Sequence, residues 1–325
     1  MSVLIVEPLH SEVMAWLVER HPVRYAPELA REPREFRQAL FNVRALVLPP
    51  SVALDGATLQ YAPVLKAVGR VSSGAENIDH DACTRAGVEV VRSVNASSQA
   101  EAEFMIGALL AMLRRVPVIG DDGLLVGREL GSAIVGLVGM APAARSMAQL
   151  LQPFGTRLIG YDPAVHASDG LWSRWRVEPV GLKELIEQSD AVCVQLGYFT
   201  RYHGLLGERF LSSCKPNQVM VSIGHSNLFD ERALADVLAS GRMAAAWFDS
   251  LEPGALDPGR PLHDIDTLQI TPRVASTTRE SRVRSAWAVA RRLDEILSTA
   301  AAPRPTFKPT LPGDEVDLAV GPESA

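Results

Sequence analysis

The sequence predicts an α/β protein with two parallel sheets. Short runs rich in valine, isoleucine and leucine alternate with longer segments whose apolar residues recur at helical spacing, which is typical of parallel strands joined by crossover helices. A chain of 325 residues, 47% of them hydrophobic and 22% charged, is long enough for two domains, each with its own core.

The candidate strands form two series, separated near residue 97. Each run is short and apolar and lies between polar or helical segments, as expected for a buried strand of a parallel sheet. The first series is 3–6, 23–26, 44–49, 65–70 and 89–92, and the second is 133–139, 157–162, 191–196, 218–224, 244–249 and 268–271.

Two helices have distinct patterns. The segment 97–116 is apolar almost all round, whereas a surface helix has one apolar stripe, so we expect a domain junction or a second subunit to cover it. The glycine-rich residues 120–132 after it are predicted to form a loop. The amphipathic helix ESRVRSAWAVARRLDEILSTA is expected to return to the first domain, and the proline-rich tail after it is expected to be irregular.

Charge and cysteine content exclude several classes of partner. A net charge of -6 argues against nucleic acid and against an anionic membrane surface, since both attract basic faces. Cys83, Cys193 and Cys214 form no C-x-x-C pair, which favours free thiols in a reducing cytoplasm over disulfides or a zinc site. No signal peptide and no membrane-spanning run are visible. We therefore predict a cytoplasmic protein with no bound metal.

The stretch 135–163, VGLVGMAPAARSMAQLLQPFGTRLIGYDP, is close to a dinucleotide-binding signature. In a Rossmann-like unit the first glycine allows a tight turn, the second lets the backbone approach the pyrophosphate, and the third allows close packing of helix and strand. Gly139 keeps the first position, while Ala141 and Ala144 hold the other two. The Ala141 methyl group points to where the pyrophosphate would lie, and Pro142 removes a backbone N–H that could bind phosphate.

The second strand of this unit ends in an acidic residue that favours NAD. Asp162 lies 23 residues after Gly139, where a carboxylate can bind the ribose hydroxyls and would repel the 2′-phosphate of NADP. We predict a cofactor site formed by Asp162 and the turn, including Ala143 at the start of the helix. The turn alone also allows a βαβ unit that binds nothing, with Asp162 simply solvated.

Several blocks of the chain resemble the D-isomer-specific 2-hydroxyacid dehydrogenases. LKAVGRVSSGAENID resembles the substrate loop of that family, and AEAEFMIGALLAML resembles the helix that opens its cofactor domain. Residues 215–253 and 263–281 resemble its two catalytic blocks, in order and in spacing. The resemblance covers roughly residues 2–300.

This resemblance implies a specific domain arrangement. It implies two Rossmann-like or flavodoxin-like domains, with an NAD-binding domain (98–285) inserted in a substrate domain (1–97 plus 286–325). The apolar 97–116 helix resembles the family's dimer element, so a homodimer is expected. The implied reaction is hydride transfer between nicotinamide and a small 2-oxo or 2-hydroxy acid.

The catalytic positions depart from the family pattern. The family uses an arginine to hold the substrate, and a histidine, hydrogen-bonded to a glutamate, as acid or base. Here the arginine position holds His225, the histidine position holds Arg273, and the glutamate position holds Glu252. Arg273 cannot release a proton near neutral pH, but it can anchor a carboxylate or pair with Glu252. His225 can exchange a proton with a C2 hydroxyl.

Two interpretations of this exchange stay open, beside a third in which the chain remains an enzyme with bound NAD but catalyses a different reaction, for instance a pathway-specific step on a bulkier acid. In the first, the two residues have traded roles and the chain is an NAD-linked oxidoreductase. In the second, ordinary dehydrogenase activity is lost, Arg273 and Glu252 form a structural ion pair, and the chain binds a nucleotide or metabolite in a non-catalytic or repurposed role.

The resemblance also assigns positions around the catalytic residues. Asp249 matches an aspartate that contacts the nicotinamide carboxamide, although a strand-end aspartate also caps turns. Gly224, which precedes His225, is predicted to contribute to the cofactor site. Ser73 and Gly74 match the backbone donors that hold the substrate carboxylate.

Two aromatic residues replace other residue types of the family. Tyr198 lies beside the predicted adenosine pocket, where it either covers the adenine or is an exposed loop aromatic. Trp247 replaces a small residue, so it either narrows the nicotinamide pocket or fills the core.

Overall fold

A computed structural model describes residues 2–72, 77–93, 95–116 and 118–299. Two parallel sheets dominate this part of the chain. The strands are β1 (Val3–Ile5), β2 (Val23–Tyr25), β3 (Ala45–Val47), β4 (Ala67–Arg70), β5 (Glu89–Arg92), β6 (Val118–Ile119), β7 (Leu125–Val126), β8 (Ile134–Val138), β9 (Arg157–Tyr161), β10 (Glu178–Pro179), β11 (Ala191–Val194), β12 (Gln218–Ser222), β13 (Met243–Phe248) and β14 (Leu268–Ile270).

The α-helices connect these strands and cover the sheets. They are α1 (Ser11–Arg20), α2 (Pro33–Ala39), α3 (Gly56–Leu59), α4 (His80–Arg85), α5 (Ser98–Arg115), α6 (Pro142–Leu151), α7 (Gly170–Trp175), α8 (Leu182–Gln188), α9 (Glu208–Leu211), α10 (Glu231–Ala239) and α11 (Arg279–Thr299). The predicted α/β class with two parallel sheets is confirmed.

Each sheet has a point at which its strand order reverses. The first sheet has the order β2-β1-β3-β4-β5, and the second has the order β10-β9-β8-β11-β12-β13-β14. The reversals lie between β1 and β3 and between β8 and β11. In open parallel sheets, ligands bind outside the carboxyl ends of the strands at such points. The fold therefore marks two strand edges as places to look for a site.

The C-terminal helix α11 packs on the first sheet, as its amphipathic pattern predicted. It contacts α1, β4 and β5. Arg292 forms a bidentate ion pair with Glu89, with N–O distances of 2.8 and 3.0 Å. The Trp287 and Trp16 rings pack edge to face, with their centroids 5.6 Å apart. These contacts hold the helix against the sheet and against α1. The domain boundaries at 97/98 and 285/286 stay a prediction.

Helix α5 is covered mainly by its own chain. It packs against α6 and β12, and its buried residues belong to the same apolar core as those of α6. Its nearly uniform apolar character thus reflects contact with a helix on one side and a sheet on another. Leu110 remains 40% exposed.

The predicted strands are confirmed, with small differences at their ends, whereas three short strands were missed. β10 is a two-residue edge strand that contains proline, and β6 and β7 form a short antiparallel hairpin. Segments this short carry no periodicity, and only the pairing partner defines them. The prediction of a loop over 120–132 was therefore wrong for Leu125 and Val126.

The structure also bears on the cysteines and on the hydrophobicity of the helices. Cys83, Cys193 and Cys214 are buried and unbridged, as predicted, and burial raises the pKa of the Cys214 thiol to about 12. Among the residues that the structure describes, no helix is both long enough and apolar enough to cross a bilayer.

Candidate active site

The turn after β8 requires a glycine. Gly139 has a φ of 97°, a conformation that residues with a side chain rarely adopt. A Cβ atom at this position would lie 2.7 Å from the backbone N and Cα of Leu196, two residues after the end of β11. The Gly139 N–H donates to the Tyr161 carbonyl at 2.7 Å. The turn is therefore wedged between the ends of β9 and β11, at the point where the strand order reverses.

The rest of the turn has ordinary geometry. Ala141 has φ −59° and ψ 165°, so its backbone conformation does not require glycine. Pro142 is the first helical residue, Ala143 is buried, and Ala144 is fully buried beneath α6. Within the described chain, no side chain caps the first N–H groups of α6. The helix therefore presents an uncapped N-terminus of the kind that binds phosphate, with one donor fewer because of Pro142.

Asp162 is tied to this turn. Its carboxylate accepts hydrogen bonds from the N–H groups of Met140 and Ala164, both at 2.8 Å, and the residue is half-buried. The alternative of a simply solvated strand-end aspartate is therefore wrong. A carboxylate has about four acceptor positions, so two bonds leave room for ribose hydroxyls.

Two buried polar residues at neighbouring strand ends were missed by sequence reasoning. The Gln195 amide donates to the Gly139 carbonyl at 3.4 Å, while its Oε1 is buried without a partner among the described residues. The Ser222 hydroxyl, at the end of β12, is likewise buried without a described partner. Buried polar atoms are normally satisfied, so the unpaired Gln195 Oε1 beside the Gly139 turn fits a polar ligand. Their positions directly after or at the end of buried strands were the available signal.

His225 pairs with Glu252. The imidazole Nε2 lies 3.3 Å from Glu252 Oε1, and Nδ1 accepts a hydrogen bond from the Asn227 N–H at 3.2 Å. The Tyr198 ring stacks on the imidazole, with centroids 4.6 Å apart and planes at 21°. Tyr198 thus covers His225, a role that neither sequence interpretation considered.

These contacts select one tautomer of the neutral imidazole. An acceptor at Nδ1 places the proton on Nε2, which then donates to Glu252. Both ring nitrogens are therefore engaged. A substrate oxygen that approaches His225 must replace either the Asn227 N–H or the Glu252 carboxylate. The His225 side chain is 34% exposed, and both hydrogen bonds are longer than 3.1 Å and therefore weak. Replacement of one of these partners by a substrate oxygen therefore costs little.

Arg273 lies on the loop after β14 and is exposed. Its φ is 55°, and its N–H donates to the Asp249 carbonyl at 2.7 Å. Within the described residues, its guanidinium makes no ion pair with Glu252 or with any other carboxylate. The Arg273–Glu252 ion pair of the second interpretation is therefore wrong, because Glu252 is paired with His225.

Asp249 holds the loop that carries Arg273. Its carboxylate accepts from the Thr271 hydroxyl at 2.7 Å and from the N–H groups of Val274 and Ala275 at 2.9 Å each. The turn-capping alternative is therefore observed, and the predicted nicotinamide contact stays a prediction.

Burial raises the pKa of the Glu101 carboxyl on α5, and the nearby Asp249 carboxylate adds to this rise.

The remaining predicted positions divide into three groups. Gly224 lies just after β12, where its N–H donates to the Val194 carbonyl at 3.2 Å. Trp247 packs edge-on against Phe104 at 5.8 Å, which agrees with core filling. Ser73 and Gly74 lie outside the described residues.

The segment before Ser73 is anchored by a buried acid. The Glu7 carboxylate accepts from the N–H groups of Val71 and Ser72 at 3.3 and 3.2 Å, and from the Ser72 hydroxyl. Glu7 also lies 3.8 Å from the buried guanidinium of Arg70. The entry to the predicted substrate loop is therefore held to the end of β1.

Comparison with known proteins identifies the family. Residues 112–275 match the family model described as D-isomer specific 2-hydroxyacid dehydrogenase, NAD binding domain, which is half of the chain. The chain belongs to the D-isomer-specific 2-hydroxyacid dehydrogenases. The matched segment contains the Gly139 turn, Asp162, His225, Glu252 and Arg273. The resemblance predicted from the sequence is confirmed, and the match supports NAD(H) binding by this family member.

Individual relatives are similar over most of the chain. It is 29% identical to a (S)-sulfolactate dehydrogenase of Chromohalobacter salexigens over 88% of this chain and 95% of that protein. It is 26% identical to a D-3-phosphoglycerate dehydrogenase of Methanocaldococcus jannaschii over 97% of this chain and 61% of that longer protein. A solved glyoxylate reductase from Paecilomyes thermophila has a TM-score of 0.74 at 21% identity, covering 92% and 96% of the two chains, which supports the fold.

Proposed function

We propose that the chain is an NAD-linked oxidoreductase that transfers a hydride between nicotinamide and a small 2-oxo or 2-hydroxy acid. The observation that carries this proposal is the pairing of His225 with Glu252 while Arg273 has no ion pair with a described residue. An imidazole beside a carboxylate is an acid–base unit, and an unpaired guanidinium is a carboxylate anchor. The exchanged residues thus supply the same two chemical functions, each from the position that the other residue type holds in the family.

The proton transfer follows from the tautomer of His225. When bound, the nicotinamide supplies or accepts the hydride at C2 of the acid. For reduction of a 2-oxo acid, the C2 oxygen needs a proton. Protonation of His225 at Nδ1 converts the acceptor that faces Asn227 into a donor, and Glu252 at Nε2 stabilises the resulting imidazolium. We assign proton donation to Nδ1 and substrate anchoring to Arg273, with the loop of Arg273 held by Asp249.

A second candidate function is binding of a nucleotide or metabolite without turnover. Three contacts of His225 favour it: Tyr198 stacks on the imidazole, and both ring nitrogens already have partners in Asn227 and Glu252. In this case the family scaffold is retained for a non-catalytic role.

The test begins with titration of the purified protein with NADH, followed by nicotinamide fluorescence or by heat. Oxidation of NADH is then measured with glyoxylate, pyruvate and hydroxypyruvate. Saturable binding in the micromolar range with turnover supports the oxidoreductase. Binding with no turnover of any 2-oxo acid favours the second candidate. No binding up to millimolar NADH contradicts the oxidoreductase and leaves a scaffold that binds another ligand or partner.

We predict a preference for NADH over NADPH of at least about tenfold in dissociation constant, equivalent to about 1.4 kcal/mol. A 2′-phosphate would approach the Asp162 carboxylate, which is held in place by Met140 and Ala164. Asp162→Ser, titrated with both nucleotides, should weaken NADH binding and reduce the preference. Equal affinities of the native protein for NADH and NADPH would contradict the assignment of Asp162.

We also propose that the protein is a cytoplasmic homodimer. Its unbridged thiols suit a reducing compartment. The β6–β7 hairpin exposes Ile119 at 74%, Leu124 at 63% and Leu125 at 71%, close in sequence to α5. A cluster of exposed apolar side chains on a hairpin indicates an interaction surface.

The dimer prediction is testable by light scattering after size-exclusion chromatography. The native protein should elute at the mass of two chains, and Leu125→Arg should shift it towards the monomer, because a desolvated charge opposes association. Phe41→Arg, at another exposed apolar residue (65%), is the matched control and should leave the mass unchanged. A monomeric native protein would exclude the dimer.

A further inference from the structure

A cavity lies at the carboxyl ends of β1 and β4. Its volume is about 460 Å³, within the range of small-molecule sites. It lies between the loop after β1, the end of β4 and the start of α11. Its lining includes His10, Val71, Thr277, Thr278, Arg279 and Arg282.

The cavity has a positive lining. Arg279 and Arg282 are exposed, and neither guanidinium has an ion pair with a described residue. No carboxylate is among the described residues that line it, and Glu280, in the same helical turn, is not part of the lining. By contrast, a cavity of about 340 Å³ next to Glu252 is lined by Asp230 and Glu231 as well. The charge of this cavity therefore favours an anion.

Hydrogen-bond donors accompany the two cations. Thr278 caps α11 by accepting from the Ser281 N–H at 3.0 Å, which leaves its hydroxyl proton free to donate. Thr277 lines the cavity as well, but its hydroxyl proton is donated to the Arg273 carbonyl. His10 contributes an Nδ1 atom that is buried and has no partner among the described residues. Guanidinium groups with nearby hydroxyls are the donors that bind carboxylate, sulfonate and phosphate groups.

The cavity adjoins the loop that carries Arg273. Thr277 donates from its hydroxyl to the carbonyl of Arg273 at 3.1 Å, so the two residues share one loop. Val71 precedes Ser72, which leads into the loop predicted to hold the substrate carboxylate. The cavity also lies at the end of β1, where the strand order of the first sheet reverses. The cavity lining therefore shares a loop with Arg273, the proposed carboxylate anchor.

We infer that this cavity binds the second anionic group of a dianionic 2-oxo or 2-hydroxy acid. The inference rests on the proposed function, in which Arg273 anchors the first carboxylate. The second group is a carboxylate, a sulfonate or a phosphate, carried a short distance from C2. Arg279 and Arg282 hold this group, and the His10 imidazole and the Thr278 hydroxyl complete its hydrogen bonds.

The experiment separates binding from turnover. Calorimetry of the full chain with NADH present compares D-lactate with D-malate, 3-sulfolactate and D-3-phosphoglycerate. At least one dianion should bind about tenfold more tightly than lactate, and the tightest identifies the preferred group. Arg282→Gln and Arg279→Gln should each weaken that dianion about tenfold and leave lactate unchanged. Arg291→Gln, on the same helix but outside the cavity, should change neither.

Each outcome has one meaning. Lactate and all three dianions binding equally would overturn the inference, as would dianion binding that is unaffected in both arginine variants. If pyruvate is reduced in either of these cases, the proposed oxidoreductase function stands without the subsite. Arginine-dependent dianion binding without reduction of any 2-oxo acid supports the cavity and contradicts the oxidoreductase. Circular dichroism of both variants confirms that the fold is intact.

Discussion

Gly139→Ala is expected to weaken NADH binding by at least about a hundredfold, equivalent to roughly 2.7 kcal/mol. The new Cβ atom would lie 2.7 Å from backbone atoms of Leu196, which cannot rotate away as the end of a side chain can. The φ of 97° is also strained for alanine. Relief requires the turn to move away from β11, which displaces the uncapped N-terminus of α6 and breaks the bond from Met140 to Asp162.

Gly155→Ala is the matched control for this prediction. Gly155 ends the turn after α6 with a φ of 75°, but a Cβ atom there would meet nothing within 4 Å. It should therefore lower the free energy of unfolding by about 1 kcal/mol, through the left-handed conformation alone, and leave NADH affinity unchanged. Calorimetry with NADH and urea unfolding of both variants make the comparison. NADH affinity of Gly139→Ala within threefold of native would show that this turn does not bind the cofactor.

His225→Gln is expected to reduce kcat for 2-oxo acid reduction by about 10²–10⁴, the usual contribution of a general acid. Glutamine can still reach Glu252 but cannot donate and recover a proton, so the dissociation constant of NADH should stay unchanged. Arg273→Gln should instead raise KM, because the anchor for the substrate carboxylate is lost. His80→Gln, at an exposed histidine on α4, is the control and should have native kinetics.

The double variant His225→Arg with Arg273→His separates the two candidate functions. If the exchanged arrangement of the native protein is productive, restoring the family order should lower activity, because Tyr198, Asn227 and Asp249 hold the present side chains and their loop in place. A double variant that reduces glyoxylate faster than the native protein would indicate a scaffold that has lost catalysis. Native turnover unchanged in His225→Gln would exclude His225 as the proton donor.

Local sequence patterns by themselves determined much of this fold. Apolar runs between polar segments located the strands of both sheets, because burial on two faces demands continuous apolar sequence. The same reasoning placed Gly139 at a tight turn and Asp162 at a strand end, since residue type and spacing are sufficient there. The short strands β6, β7 and β10 were not predicted, because their pairing with a neighbouring strand defines them and their sequences carry no periodicity.

Only the tertiary structure decided how the site residues pair. The sequence allowed Glu252 to pair with Arg273, yet it pairs with His225, and Asp249 is engaged with the loop of Arg273. Tyr198 stacks on His225 although the two residues belong to different strand-to-helix connections. Such contacts depend on which strands are neighbours and on where each strand ends. A one-dimensional pattern specifies which residues reach the edge of the sheet, whereas the folded backbone decides which of them meet.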